Sequence, residues 1–477
     1  MIIAIKILGF LYKMISTRML GLEGMRLISM IMPALALCLA LSSLSIQAVC
    51  NQNVASNMNL RTTRISVIML SCLKITLTSS SIISILMLIS FPLYKYIYND
   101  SFIYYPLLLC IPLLFCSNIS GVMKGYLEAN DEFSITYFSN VVESLTKILL
   151  TVILLYIFKD HSINTKAIIV FLSLALSELS SNLVLSYKIK KGRKIKLIST
   201  NQYELEVLKQ AIPLTLSSLV NTLAGYITPF IFYYAAAKSG FDIIESTTYY
   251  ALITSYAIPL ILSGEAGIQT VVKLAFPKIT KNIDNKKELN SIIDKSLIIG
   301  IVISVFSFSM YQFQTDNMLN IMYDDTLSAP IVKVLSFAYL FAYLDPIFIT
   351  ILQSFKKEKA ILTITVITQI ITMSLIFLLT INAAINTLGY VIGLAIGLVL
   401  KFIMLAIYAI YISKYKPDKT KLISVVVTSI IYMLVLWANE GLIAYIIISS
   451  IYFLLLFLLY RYLYSNRSNT HHIMTHK

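Results

Sequence analysis

Apolar runs of about 18 to 25 residues recur along this chain from one end to the other, each long enough to cross a hydrocarbon core about 30 Å thick as a helix. In lipid every backbone N–H and C=O must be satisfied internally, so only helices and closed barrels can span it. The runs are continuously apolar rather than alternating, which selects helices. Only 13% of the 477 residues are charged and 58% are hydrophobic, far from the roughly 25% charged of a soluble domain. Such a composition excludes a soluble enzyme or a nucleic-acid-binding module. The expected fold class is an all-α polytopic membrane protein with about fourteen transmembrane helices, beginning with 2–20 and 27–49, passing through 247–275 and 329–354, and ending with 421–438 and 442–464. No cleavable signal pattern precedes the first span, which itself should direct insertion.

The formal charge of +15 follows the loops. With the N-terminus placed in the cytoplasm, one set of alternate connections carries Arg61 and Arg64, the run Lys188 to Lys196, Lys278 to Lys287, Lys356 to Lys359, and Lys414 to Lys421. The connections between them carry Asp100, Asp160, Asp242, Glu245, Asp316, Asp324, Asp325 and Glu440. Basic and acidic loops in alternation are what the positive-inside rule gives for an even number of spans with both termini cytoplasmic. The excess charge is thereby topogenic, and the bilayer, not nucleic acid, is the expected partner.

The longest basic connection divides the chain. Residues 1–187 form an N-terminal bundle of about six spans, 188–207 a cytoplasmic linker, 208–464 a C-terminal bundle of about eight with its last two peripheral, and 465–477 a disordered tail. A faint repeat supports two halves: a helix end, a glycine loop and a helix with interior proline occur around Pro33 and again around Gly240 and Pro259. Repeated bundles are common among secondary transporters. His471, His472 and His476 belong to the tail and suggest no metal site. The five cysteines, all in the first quarter without a CxxC pair, read as small hydrophobes.

Ionisable residues inside spans are costly and usually face a cavity or a partner. Lys6 and Lys13 stand seven residues apart, on one helical face about 10 Å apart along the axis. Gly9 and Thr17 lie near that stripe, whereas Arg18 points about 140° away from Lys13. Glu143 and Lys147 are an i, i+4 pair in the favourable orientation. Glu178 and Glu265 have no partner on their own helices, and Asp345 lies beside Pro346 in the middle of a span. Gly389, Gly393 and Gly397 form a ridge suited to close helix packing. Lys401 continues that ridge and needs a counter-charge, from Asp345, Glu265 or a substrate phosphate. The candidate substrate cations are therefore Lys6, Lys13, Arg18 and Lys401. Glu143, Lys147, Glu178, Glu265 and Asp345 are cavity or coupling candidates, and Pro33, Pro213 and Pro259 are candidate hinges. There is no Walker loop, HExxH, GxSxG or metal-ligand cluster, so neither ATP hydrolysis, covalent catalysis nor a cofactor is expected.

The opening segment "KILGFLYKMISTRMLGLEGMRLISMIMP" resembles the start of the stage V sporulation protein B group of polysaccharide-export proteins, through Leu8, Gly9, Phe10, Tyr12, Lys13, Arg18, Gly21, Glu23, Gly24 and Pro33. Further matches follow in order: Lys124-Gly125-Tyr126, Glu143 and Lys147, Pro213, Tyr250, Pro259 and Pro277. The resemblance implies the multidrug/oligosaccharidyl-lipid/polysaccharide (MOP) flippase superfamily, a MATE-like fold of two bundles around a central cavity, and alternating access. It also implies a polyprenyl-diphosphate-linked sugar as substrate, and in spore formers a role in cortex peptidoglycan. Cys50-Asn51 stands where the group commonly has Ser-Lys, Glu128-Ala129 where it has Gln-Gly, and Glu265 where a proline is frequent. The expected function is translocation of an undecaprenyl-diphosphate-linked saccharide, driven by a coupling ion or the membrane potential. Alternatives are a cation-coupled multidrug exporter of the same fold, a non-transporting scaffold and a membrane-embedded glycosyltransferase. The last wants an acidic catalytic cluster and a sizeable loop domain, and no loop here is long enough to fold alone.

Overall fold

The computed structural model describes residues 2–56, 62–90, 104–192, 201–382, 384–439 and 441–473. Among them the regular structure is helical, without a strand. Arg61, Asp100, Arg193, Lys194, Lys196, Glu440 and His476, all invoked above, lie outside the described residues. In chain order the helices are α1 (Ile2–Ser43), α2 (Ile46–Ser56), α3 (Thr62–Ile89), α4 (Tyr104–Ala129), α5 (Phe133–Ile157), α6 (Ile163–Gly192) and α7 (Asn201–Lys238). They continue with α8 (Ile243–Leu262), α9 (Glu265–Lys281), α10 (Lys286–Phe313), α11 (Thr315–Tyr323), α12 (Ala329–Ala342) and α13 (Asp345–Ser354). The last four are α14 (Glu358–Ile381), α15 (Leu388–Ser413), α16 (Lys419–Trp437) and α17 (Leu442–Ile473).

Among the described residues ten helical stretches are long and apolar enough to cross a membrane, or eleven when the bent pair α8 and α9 counts as one. The first of them, Ala4–Ser56, contains a chain reversal, and Leu442–Leu458 of α17 is a shorter apolar stretch. The total comes close to the fourteen expected. The reversal is at Gly21, whose φ of 65° and ψ of −174° are not helical. On a straight helix Lys13 and Ala36 would lie about 35 Å apart, yet both line one cavity of about 430 Å³. A Cβ on Gly24 would come within 2.8 Å of the Leu20 Cβ, so the arms diverge from a tight corner. That backbone region is essentially restricted to glycine. Nothing lies within 4 Å of a Cβ built on Gly21, so Gly21→Ala isolates the backbone cost, expected at about 1–3 kcal/mol and measurable as a lowered melting temperature of the purified protein. A melting temperature equal to that of the unmodified protein would exclude the corner as drawn.

Two compact units emerge. The first comprises residues 1–259 with 380–387, the second 260–379 with 388–477. The division falls near Pro259, whereas the sequence reading puts its linker at 188–207; α7 packs with the first unit. Within that unit α1 touches α3 to α8, and its core is built by Ile46, Val49, Cys50 and Val54 of α2 against Ile68 and Cys72 of α3, Val122 and Tyr126 of α4 and Leu185 of α6. Gly125 permits this packing: a side chain there would run into the Gln47 carbonyl and meet the Cys50 Cβ at 3.2 Å. In the second unit α10 carries α16 and α17 through an aromatic seam in which Tyr432 stacks on Tyr452, with ring centroids 4.1 Å apart. Hydroxyls of Ser309, Ser429 and Ser449 pair with the phenols of that seam.

Three local expectations change. The span 247–275 is broken at Ser263–Gly264 and bent by 50°. The carbonyls freed there are met by Tyr311, which donates to Leu260 and Ile261 at 3.0 and 3.1 Å, and by Tyr343, which also donates to Ile261. Gly264 is required because a Cβ would lie 2.6 Å from Ser307 Oγ and 2.8 Å from the Tyr343 hydroxyl. Asp345 lies inside the span 329–354, as expected, but that span is interrupted: the chain turns at Tyr343–Leu344, and Asp345 opens α13 with Pro346 beside it. Proline suits that position because a first-turn N–H has no intrahelical acceptor to lose. Finally, α17 extends to Ile473, into the segment 465–477 expected as a tail.

Candidate functional site

The first arm of α1 carries the opening stripe, and the structure separates its members. Lys6 and Gly9 are exposed, and nothing lies within 4 Å of a Cβ on Gly9. Arg18 is exposed as well. Lys13 and Thr17 face inward. Thr17 is buried with its hydroxyl unpartnered. Lys13 lines the cavity of about 430 Å³ with Ser29 and Pro33 of the second arm, Asn221 and Thr222 of α7, and Tyr250 and Ser255 of α8. Among the described residues no carboxylate lies within 4.0 Å of its ammonium. An uncompensated ammonium in a spanning segment is expensive unless water or a ligand takes the place of a partner. The hairpin at Gly21 assembles the site, since it returns Ser29 and Pro33 to the level of Lys13.

A second group in the same unit is charge-balanced. Glu143 of α5 accepts from Lys147, one turn on, at 3.5 Å and pairs with Lys124 of α4 at 3.7 Å. Lys147 also lies 5.5 Å from the centre of the Tyr12 ring, which gives it a cation–π contact. Glu178 of α6 is within electrostatic reach of Lys124, Glu143 and Lys147, with Oε2 buried and unpartnered. The i, i+4 spacing announces half of this network. Lys124 was visible only as part of a motif, because its partnership depends on α4 and α5 packing together.

The second unit holds Glu265, Asp345 and Lys401. Lys401 Nζ is 3.8 Å from Asp345 Oδ2, with Asp345 buried and its Oδ1 unpartnered. The ridge lysine thus finds its counter-charge on the protein. Glu265 begins α9, where the helix dipole favours an acid, and accepts from Gln269 at 2.6 Å. Along the ridge, a Cβ on Gly393 would lie 2.8 Å from the backbone N of Ile376, and one on Gly397 would overlap Thr372. Gly389 is buried on α15, and Pro33 and Pro259 lie inside α1 and α8. Pro213 lies within α7, its side chain outside the described residues. No group of three His, Cys, Asp or Glu able to hold a metal occurs among the described residues.

Residues 1–241 match the model of a family described as polysaccharide biosynthesis protein. The chain belongs to this family. Stage V sporulation protein B of Bacillus subtilis (strain 168) is 23% identical to this family member over 433 residues, 87% of this chain and 82% of that protein. In three dimensions the family member is similar to the lipid II flippase MurJ in an inward closed conformation, with a TM-score of 0.70 at 14% identity over 97% of each chain. It is also similar to an inward-facing multidrug resistance MATE family transporter of the MOP superfamily, with a TM-score of 0.71 at 14% identity over 86% of this chain and 95% of that one. These likenesses identify a MATE/MurJ-type helical membrane fold, and the proteins that share it are transporters and flippases rather than enzymes.

Proposed function

We propose that this chain translocates a polyprenyl-diphosphate-linked saccharide across the cytoplasmic membrane. The observation that carries the reading is the Lys13 cavity. It combines an ammonium lacking a protein counter-charge with an amide and several hydroxyls, in a segment apolar enough to lie in the bilayer. A diphosphate loses its hydration on leaving water, and charge-assisted hydrogen bonds from an ammonium are a strong replacement. Membership of a polysaccharide biosynthesis family supports the saccharide. The stage V sporulation protein B relative and the MurJ-like fold support a peptidoglycan precursor, with spore cortex as its destination in a spore-forming host. The alternating loop charges support cytoplasmic termini, and the basic segment 188–207 would lie on the cytoplasmic side. Pro33, Pro213, Pro259 and the glycines of α15 are the hinge and packing points of the movement, with a coupling ion or the membrane potential as its drive.

Reconstitution tests this directly. Proteoliposomes containing the protein are expected to move a fluorescent undecaprenyl-diphosphate-linked saccharide between leaflets, at least tenfold faster than protein-free vesicles. Translocation no faster than in empty vesicles would sink the reading. A second reading, cation-coupled export of amphipathic drugs, is favoured by one observation, the unpartnered Glu178 oxygen. Drug efflux from the same vesicles without lipid-linked saccharide movement would select it.

A further inference from the structure

The second arm of α1 leads away from the Lys13 cavity into another, of about 580 Å³, where α1 ends and α2 meets α4. Among its lining residues Ser43, Ser45, Gln47, Asn51, Asn118 and Glu128 bring polar groups to an otherwise apolar wall. Glu128 is the one acidic or basic side chain among the lining residues. The Gln47 amide donates to its two oxygens at 3.1 and 3.3 Å, and the Asn51 amide donates at 3.5 Å. These donors orient the carboxylate without neutralising it. Lys124, one turn earlier on α4, is engaged by Glu143 instead, and among the described residues no ammonium or guanidinium lies within 4.0 Å of Glu128.

The backbone at this cavity is also unusual. Leu44 and Ser45, joining α1 to α2, are consecutive non-glycine residues with φ of 48° and 51°. Left-handed conformations of this kind are held in place by their surroundings and concentrate at ligand sites. Here they end one helix and redirect the next, so that Ser45 and Gln47 both reach the cavity. Gly125, by admitting α2 close to α4, brings Gln47 within reach of Glu128.

The two cavities share one helix face. Met32, Pro33 and Ala36 border the first, and Leu39, Ala40 and Ser43 border the second; steps of three and four residues keep all six on one side of the arm. From Pro33 to Ser43 the arm rises about 15 Å. A cation marks one end of this track and an acid the other.

We infer that the track is a bipolar groove for a head group that is phosphorylated at one end and carries a protonated amine on a hydroxyl-rich moiety at the other, the amine at Glu128. The inference rests on the reading of Lys13 as the phosphate contact. Serine hydroxyls and the Asn51 and Asn118 amides supply both donors and acceptors for sugar hydroxyls. The lone carboxylate adds a preference that hydroxyls alone would not give, a charge-assisted bond to an ammonium. A bound metal ion is a poorer occupant, since no cluster of three metal-ligating side chains occurs among the described residues.

The experiment uses the full chain in lipid nanodiscs at neutral pH, with glucosamine and N-acetylglucosamine as probes of the acidic end and inorganic pyrophosphate as probe of the basic end, each read by ligand-observed NMR titration. Unmodified protein is expected to bind glucosamine about tenfold more tightly than its N-acetyl form, equivalent to about 1.4 kcal/mol. Glu128→Gln should abolish that preference and leave pyrophosphate binding unchanged. Asn51→Lys, which sets an ammonium against Glu128, should abolish it too, so that a failure of either variant to accumulate leaves the other decisive. Equal binding of the two sugars by the unmodified protein, or a preference that survives in the variants, overturns the groove. Pyrophosphate binding that ignores Lys13→Gln instead overturns the reading of Lys13 and with it the proposed function.

Discussion

Lys13→Gln is expected to lower translocation of a diphosphate-linked saccharide about a hundredfold while the amount of protein in the membrane stays the same. Hydrogen bonds involving a charged group contribute roughly 1.5–3 kcal/mol, and two orders of magnitude correspond to about 2.7 kcal/mol, at 1.36 kcal/mol per tenfold. Stability should not suffer, because among the described residues no carboxylate is left behind when the ammonium goes. Glutamine keeps much of the length and a polar end, so the change removes charge more than volume. Lys13→Arg should retain part of the activity, since a guanidinium also pairs with phosphate. Lys6→Gln is the contrasting variant: Lys6 is exposed and outside the cavity, so translocation should change less than about threefold, the limit of an ordinary surface substitution of ±0.5 kcal/mol. Both rates are read in reconstituted vesicles with protein amounts matched. Equal rates for unmodified protein and Lys13→Gln would remove the ammonium from the mechanism.

The helical membrane fold was legible in the sequence because the bilayer imposes a length and an apolarity on every span, and those properties are local. Periodicity put Lys6 and Lys13 on one helical face, but it could not distinguish Lys6 from Lys13 in exposure. That difference depends on which residues of α7 and α8 close around the arm. The pair Glu143 and Lys147 was readable from spacing, whereas its extension to Lys124 is a contact between helices. Gly21 looked like part of a short loop, and its φ of 65° turns out to fold α1 back on itself and bring Ser29 to Lys13. The turn before Asp345 was missed for a related reason: Pro346 was read as an interior proline, when it stands in the first turn of α13. Proline marks either a kink or a start, and only the packing of the turn before it decides which.

Asp345→Ala is expected to be the most damaging single substitution in the second unit. Asp345 is 6% exposed and lies 3.8 Å from the Lys401 ammonium. Removing one member of a buried pair strands the other, at a cost of about 3 kcal/mol, the lower end of the range because the Lys401 side chain remains 26% exposed. A loss of that size lowers the folded-to-unfolded ratio more than a hundredfold, and a change of this kind in the unfolded fraction lowers abundance several-fold in cells, so less protein should reach the membrane and it should melt earlier. Replacing both charges by apolar groups is often neutral, and Asp345→Ala combined with Lys401→Met should therefore restore accumulation. Abundance by immunoblot and melting temperature in detergent read both variants. Normal accumulation of the single variant would show that the ammonium finds water or another acid. The rescued double variant then separates structure from transport. If it moves lipid-linked saccharide normally, the pair serves only to hold α13 against α15; if it accumulates but does not transport, making and breaking the Asp345–Lys401 contact belongs to the transport cycle.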